Sequence, residues 1–126
     1  MEISAVGVSA TDLGRAVGFY SLLGFSFPPV DGGEEHVEST NAGARLMIDS
    51  AELITGLLGE APRPGNTSAF AVLLPAPGQV DGLVNRVAAA GHTVVTAAFD
   101  APWGQRYATV ADPDGYRVDL YALLPG

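Results

Sequence analysis

The sequence contains no cysteine and no lysine, and it has only two histidines and one tryptophan. The lack of cysteine excludes disulfide bonds, thiolate metal sites and a cysteine nucleophile. Without lysine, no side-chain amine is present to form a Schiff base. Two imidazoles leave few candidates for a histidine metal ligand or for a histidine acting as general acid or base.

Positive charge is also scarce, because 14 acidic residues face 6 basic ones and the net charge is −8. This field repels a polyanion, so nucleic acid is not an expected partner. No apolar run approaches the ~18 residues that cross a bilayer. The start, Met1-Glu2-Ile3-Ser4, has no basic region followed by an apolar segment. We therefore expect no membrane contact and predict a cytoplasmic location.

What is present is a chain of 126 residues, 48% of them hydrophobic, enough for one globular domain. Its pattern predicts β-α-β-β-β twice. In module one (1–60) the strands are 3–8, 25–27, 36–39 and 45–48, the helix runs from the Thr11-Asp12 cap to Gly24, and a short helix covers 50–59. In module two (67–126) the strands are 68–74, 93–99, 105–110 and 117–121. The helix between the first two of these strands ends at Gly91 and has an apolar stripe of Val80, Leu83, Val84 and Val87. A proline- and glycine-rich linker, 61–66, separates the modules.

The two halves align with one another, which is a strong topological signal. Residues 23–25 correspond to 90–92 at the helix ends, and 43–48 correspond to 115–120 in the last strands. The prediction is an α+β fold built from two βαβββ modules.

Several motifs in order resemble the vicinal oxygen chelate superfamily, which holds glyoxalase I, extradiol dioxygenase and bleomycin-resistance proteins. The segments are 3–6 (ISAV), 12–20 (DLGRAVGFY), 23–25 (LGF), 101–106 (APWGQR) and 112–115 (DPDG). The resemblance spans almost the whole chain. It implies paired modules whose strands form a concave sheet around a cleft, usually in a homodimer.

Enzymes of this superfamily hold a divalent metal with four ligands, usually His, Gln or Glu, on the first and last strand of each module. The resemblance places these positions at Ala5, Met47, Ala69 and Asp119. Alanine offers no donor and methionine only a soft thioether, so we expect no metal and no cofactor. Both histidines are predicted at a hairpin or helix end, away from these positions. Asp119 is interpreted either as a general base or as a hydrogen-bonding or charge-pairing group near Arg45 and Arg117.

Side chains alternate across a strand, so we can identify the residues that share a sheet face with the four positions where the family holds its metal ligands, which we call the former ligand positions. Trp103, the only tryptophan, is suited to stacking on a planar ligand, although a plug over the sheet edge is the alternative. The expected ligand-binding set is Ala5, Gly7, Phe27, His36, Arg45, Met47, Ala69, Leu73, Trp103, Asp119 and Tyr121. The opposite parity, such as Leu46 and Val118, is apolar and is expected to form the core.

The predicted function is binding and sequestration, without chemical change, of an aromatic natural-product antibiotic of the bleomycin, mitomycin or enediyne type, conferring resistance. No catalytic residue is assigned. The alternatives are a metal-dependent lyase, isomerase or dioxygenase of the same superfamily, a metal-free catalyst that uses Asp119, and a small-metabolite binding protein.

Overall fold

A computed structural model of the chain describes residues 1–126, which form three α-helices and seven β-strands. The chain divides into two compact units, Met1–Pro64 and Gly65–Gly126, and each contains one sheet. The predicted α+β class is confirmed, since helices and strands are mixed in both units. None of the helices is long and apolar enough to cross a membrane.

The first unit consists of β1 (Ala5–Ala10), α1 (Leu13–Leu22), β2 (His36–Glu38), β3 (Arg45–Ser50) and α2 (Ala51–Leu58). The strand order is β1-β3-β2, with β1 parallel and β2 antiparallel to β3. The predicted helix cap is present, because the Asp12 carboxylate accepts a hydrogen bond from the Arg15 amide at 3.1 Å. The largest fully buried side chains of this unit lie on α1 and β3: Phe19, Tyr20, Leu46 and Ile48.

The strand predicted at 25–27 is wrong, because this segment forms no ladder. At Ser26 it is joined to the loop before β3, where Thr40 N donates to Ser26 O at 2.8 Å and Ser26 N donates to the Asn41 side chain at 2.6 Å. The next two residues, Pro28 and Pro29, have no amide hydrogen and cannot extend the pairing. The first unit therefore has three strands where the sequence predicted four.

The second unit consists of β4 (Ser68–Leu73), α3 (Pro77–Ala89), β5 (Thr93–Ala101), β6 (Gln105–Ala111) and β7 (Arg117–Leu123). Its strand order is β4-β7-β6-β5, and β4 runs parallel to β7. A proline occupies the first helical position of α3, where its missing amide hydrogen costs nothing. The predicted apolar stripe of α3 is buried: Val80, Leu83, Val84 and Val87.

Each sheet has one face that carries the buried core and an opposite face, which we call the open face. Leu46, Ile48, Val118 and Leu120 lie on the core face and are 0% exposed, as their alternation predicted. The outer strands contribute half-buried side chains to the same faces: Val6, Phe70 and Val72. On the open faces, Gly7 is paired with Met47 and Ala71 with Asp119, each between parallel strands. The internal repeat is thus present in the strand register.

Candidate functional site

Asp119 lies at the centre of the open face of the second unit, surrounded by hydroxyl groups. Its Oδ1 accepts hydrogen bonds from Thr109 Oγ1 at 2.7 Å and from Ser68 Oγ, and its Oδ2 accepts one from the Tyr107 hydroxyl. Thr109 reaches it because β6 pairs Thr109 directly with Asp119. We call these four residues the hydroxyl cluster.

Asp119 is a hydrogen-bonding group, as one interpretation predicted, but it forms no charge pair with arginine. None of the ion pairs in the structure involves Asp119. Arg117, two residues earlier on the same strand, donates from Nη1 to the Asn66 carbonyl oxygen at 2.9 Å. Arg45 instead lies 3.4 Å from a Glu38 carboxylate oxygen. Asp119 is thus held by neutral hydroxyl donors and not by a positive charge.

Burial, followed by the hydrogen bond to Asp119, raises the pKa of Tyr107 to about 12. The carboxylate stabilises the neutral phenol that donates to it, and a phenolate beside it would be repelled. Tyr107 therefore stays protonated throughout the physiological range, and its proton stays directed at Asp119.

Three aromatic rings extend the hydroxyl cluster along the same face, and we call Phe99, Trp103 and Tyr107 the aromatic cluster. The Trp103 and Tyr107 ring centroids are 5.4 Å apart, and Phe99 lies 6.4 Å from Trp103 and 6.2 Å from Tyr107, all edge to face. The indole Nε1 donates to Gln105 Oε1 at 2.9 Å, which fixes the ring orientation. Trp103 is 58% and Phe99 38% exposed. Both roles considered for Trp103, stacking on a ligand and plugging the sheet edge, stay predictions.

Two further predicted residues adjoin these clusters. Tyr121 is paired with Tyr107 on one side and with Leu73 on the other, so all three share the open face. Leu73 and Leu123 are 57% and 64% exposed. Together with Leu74 and Pro75, they line an apolar hollow of about 270 Å³.

Ala69 does not occupy the register position that the sequence predicted for it, and Ser68 lies near Asp119 instead. The register between β4 and β7 shifts between Ser68 and Phe70, so Ala69 is an extra residue in the strand. As a result Ser68, and not Ala69, is the β4 residue whose side chain hydrogen-bonds to Asp119. Sequence alternation alone does not reveal this irregularity.

The open face of the first unit brings together Ala5, Gly7, Arg45, Met47 and His36. Gly7 is exposed, and a Cβ added there would lie 3.9 Å from the Met47 carbonyl oxygen, so the strip beside Met47 has free space. Phe27, predicted as a further contact, lies half-buried in the irregular segment that precedes β2.

His36 is not remote from the former ligand positions, contrary to the prediction. It lies on β2 opposite Asp49 of β3. Asp49 is two residues after Met47 on the same strand. Its Nδ1 is 2.5 Å from Asp49 Oδ1 and its Nε2 is 2.8 Å from Glu38 Oε2. A neutral imidazole has one N–H, so two carboxylate partners favour the imidazolium. These hydrogen bonds, led by that to Glu38, raise the pKa of His36 above its ordinary value of 6.5.

We expect the His36 ring protons to titrate, by NMR, with a midpoint above 6.5. Because the folded-state pKa is raised, the stabilisation is complete below the unfolded value and is lost as pH rises through the folded one. Glu38→Gln should move the midpoint downward. Glu35→Gln makes the same charge change at an exposed neighbouring residue and should move it less. A wild-type midpoint at or below 6.5 would contradict the ion pairs.

The hydroxyl and aromatic clusters contain residues that the sequence did not suggest: Ser68, Phe99, Tyr107 and Thr109. The signal available was the period of two along 105–109, which places Tyr107 and Thr109 on one face. This period alone does not place the two residues at the site, because the register between β6 and β7 decides which residue of β6 lies opposite Asp119.

The metal centre implied by the resemblance does not fit the residues present. Ala5 and Ala69 have no lone pair to donate, and Met47 offers only sulfur. The remaining donor, Asp119, is engaged by three hydroxyls. No group of three or more His, Cys, Asp or Glu side chains is arranged to hold a metal ion. No chemical step can be assigned to a metal at these positions.

The fold and site define an α+β protein of two repeated units, each with a parallel pair of strands and a sheet face opposite its core. The model of the Glyoxalase/Bleomycin resistance protein/Dioxygenase superfamily matches residues 2–120. The chain therefore belongs to this superfamily, and the resemblance found in its motifs is confirmed.

Several solved structures have a similar fold. A glyoxalase-related enzyme from Fulvimarina pelagi is 24% identical with a TM-score of 0.82, covering 97% of this chain and 88% of that one. A hypothetical protein from S. aureus has a TM-score of 0.81 at 19% identity, covering 97% and 94% of the two chains. TioX from Micromonospora sp. ML1 is 26% identical with a TM-score of 0.66, covering 98% of this chain and all (100%) of that one.

Among curated proteins, an uncharacterized protein of Mycobacterium bovis is 51% identical over 41 residues. This match spans 32% of the chain and only 27% of that relative.

Proposed function

We propose that this protein binds a planar aromatic natural product of the bleomycin, mitomycin or enediyne type and sequesters it without chemical change. The observation behind the proposal is the exposed aromatic cluster directly beside Asp119. Membership of a superfamily that includes bleomycin-resistance proteins is consistent with it.

The aromatic cluster has the properties of a prepared stacking surface. The indole is fixed by the Trp103–Gln105 hydrogen bond and by two ring contacts, yet more than half of it remains exposed. A side chain already held in place loses little entropy when a ligand stacks on it. Large rigid aromatic residues of this kind provide much of the binding energy at recognition sites.

The hydroxyl cluster and the apolar hollow complete this surface. A ligand site is typically a mainly apolar surface with a few well-placed polar groups that fix orientation. Here the aromatic cluster and Leu73 supply the apolar part, and Asp119 with its three hydroxyl partners supplies the polar part.

The first unit adds a second proposed contact surface. Ala5 has only a methyl group and Gly7 has no side chain, which leaves space beside Met47, whose flexible thioether adapts to irregular apolar shapes. Arg45 and His36, held by Glu38 and Asp49, border this strip with fixed polar groups. The proposal also retains the homodimer implied by the family resemblance and the cytoplasmic location predicted from the sequence.

The experiment is a ligand titration that uses Trp103, the only tryptophan, as a fluorescence reporter. Bleomycin, mitomycin C and polycyclic aromatic antibiotics are added with and without divalent metal. The correct class should change the emission saturably and raise the melting temperature, because it binds only the native state. Mass spectrometry should recover the ligand unchanged. A modified product would indicate an enzyme, and failure of every aromatic compound to bind would reject the proposal.

A further inference from the structure

The apolar hollow at the end of β4 and β7 is lined by hydrocarbon side chains. Its volume is about 270 Å³ and its lining residues are Leu73, Leu74, Pro75 and Leu123. None of these side chains has a charge or a hydrogen-bond donor or acceptor. A polar group in the hollow would lose water without gaining a side-chain partner, whereas an aliphatic group would only be removed from water, which is favourable. The lining therefore fits a saturated hydrocarbon group.

One wall of the hollow is joined to the turn that carries Trp103. Leu123 on β7 is paired with Gln105 on β6, whose side chain accepts the indole hydrogen bond. The next amide, that of Leu124, donates to the Gly104 carbonyl oxygen at 3.0 Å, so the same turn is fixed to the end of β7. The hollow and the indole belong to one compact unit and are held in a fixed relation. Such a prepared surface loses little freedom when a ligand binds.

The other wall of the hollow is reached from the aromatic cluster across one strand. Tyr121 on β7 is paired with Tyr107 on β6 and with Leu73 on β4. Neighbouring strands lie about 4.8 Å apart, so Tyr107 and Leu73 are separated by roughly 10 Å. One molecule of moderate size can therefore place a planar ring on the aromatic cluster and a short arm in the hollow.

We propose that the apolar hollow is a subsite for an aliphatic arm of the ligand, so that the protein selects planar aromatic compounds that carry a short alkyl substituent. This inference rests on the proposed function, because it assumes a ring seated on the aromatic cluster. It adds the chemical class of the substituent and its position relative to the ring. The arm covers Leu73 and Leu123, which are 57% and 64% exposed, and this burial of apolar surface supplies the added affinity.

The test uses N-alkylisoquinolinium salts, which are planar and water-soluble and differ only in one alkyl chain, from methyl to octyl. Their cationic ring suits a protein with a net charge of −8. Affinity is measured by calorimetry and by quenching of Trp103 fluorescence. We expect it to rise about threefold per methylene, and so at least about tenfold from methyl to butyl. The gain should level off within the series, because the hollow has a volume of only about 270 Å³.

A further probe separates the effect of hydrocarbon from that of length. The arm of N-(2-methoxyethyl)isoquinolinium has as many non-hydrogen atoms as the butyl arm, but one of them is an ether oxygen. This compound should bind severalfold more weakly than the butyl compound, because the lining side chains offer the oxygen no donor. Equal affinity of the two compounds would contradict an aliphatic subsite.

The double variant Leu73→Ala/Leu123→Ala removes the leucine side chains of both walls. It should reduce the butyl-to-methyl affinity ratio to about twofold or less, since the arm then buries much less apolar surface. The methyl compound, whose substituent is too short to reach the hollow, should bind with little change. Leu57→Ala/Leu58→Ala is the matched control, because these leucines are 72% and 64% exposed on α2 of the other unit. It should leave the ratio unchanged.

The outcomes separate the two proposals. If the wild type binds the butyl compound no more tightly than the methyl compound, the subsite is overturned while the aromatic site is retained. A ratio that the double variant leaves unchanged overturns the subsite as well. Light scattering tests another occupant: if Leu73→Ala/Leu123→Ala dissociates a dimer that the control variant retains, a second copy of the chain covers the hollow and the subsite is wrong. If no compound of the series binds, the proposed function itself is contradicted.

Discussion

Trp103→Ala should weaken binding of the aromatic ligand by about 2 kcal/mol or more, roughly 30-fold, as expected for an aromatic hot spot. The reason is that the substitution removes both the exposed stacking surface and the ring that contacts Phe99 and Tyr107. Calorimetry is the appropriate measurement, because the variant has no tryptophan left to report fluorescence.

Leu57→Ala is the matched control for this prediction. Leu57 is 72% exposed on α2, so its truncation also removes exposed apolar surface but should leave affinity unchanged. Both variants should remain folded, since substitutions at exposed sites usually change stability by within about 0.5 kcal/mol. A folded Trp103→Ala protein with wild-type affinity would remove Trp103 from the site and leave Leu73, Asp119 and Tyr121 as the candidates.

Local patterns were sufficient to predict most of the fold. The apolar stripe of α3, the Asp12 cap of α1 and the alternation of β3 and β7 each depend on residues close in sequence, and each is present in the structure. The segment 25–27 is a case in which local patterns gave a wrong prediction. It has a strand-like composition, but a strand also needs a partner, and only one backbone hydrogen bond joins Ser26 to Thr40.

The same reasoning placed Asp119, Tyr121 and Leu73 on one face but missed Phe99. Along β5 the register with β6 shifts twice, between Val94 and Thr96 and again between Thr96 and Phe99. Each irregularity breaks the period of two, so counting along the sequence cannot tell which β5 side chains share the face of Asp119. The aromatic cluster depends on this long-range register.

His36 illustrates a related difficulty. The sequence placed it correctly at the start of a strand, 36–39, but gave no indication that Asp49 would lie opposite. Pairing between β2 and β3 is fixed by the intervening turn and by the burial of Val37 and Ile48, which are 5% and 0% exposed. Because register is determined by burial of one face, charged partners on the other face follow from packing and not from their own spacing.

The largest effect on stability is expected for Leu120→Ala. Leu120 is 0% exposed at the centre of β7, on the face that packs against α3. Removing its buried methyl groups loses the transfer free energy and leaves a cavity, which together cost about 2–5 kcal/mol of unfolding free energy. Urea denaturation followed by circular dichroism measures this loss.

Leu123→Ala makes the identical change three residues later on the same strand, where Leu123 is 64% exposed. It should lower the unfolding free energy by no more than about 0.5 kcal/mol. The comparison tests the assignment of the two sheet faces, since the chemistry of the substitution and the strand are the same in both variants. If the two substitutions were equally destabilising, the division of β7 into a core face and an open face would be wrong, and with it the placement of Asp119 and Tyr121 at the candidate site.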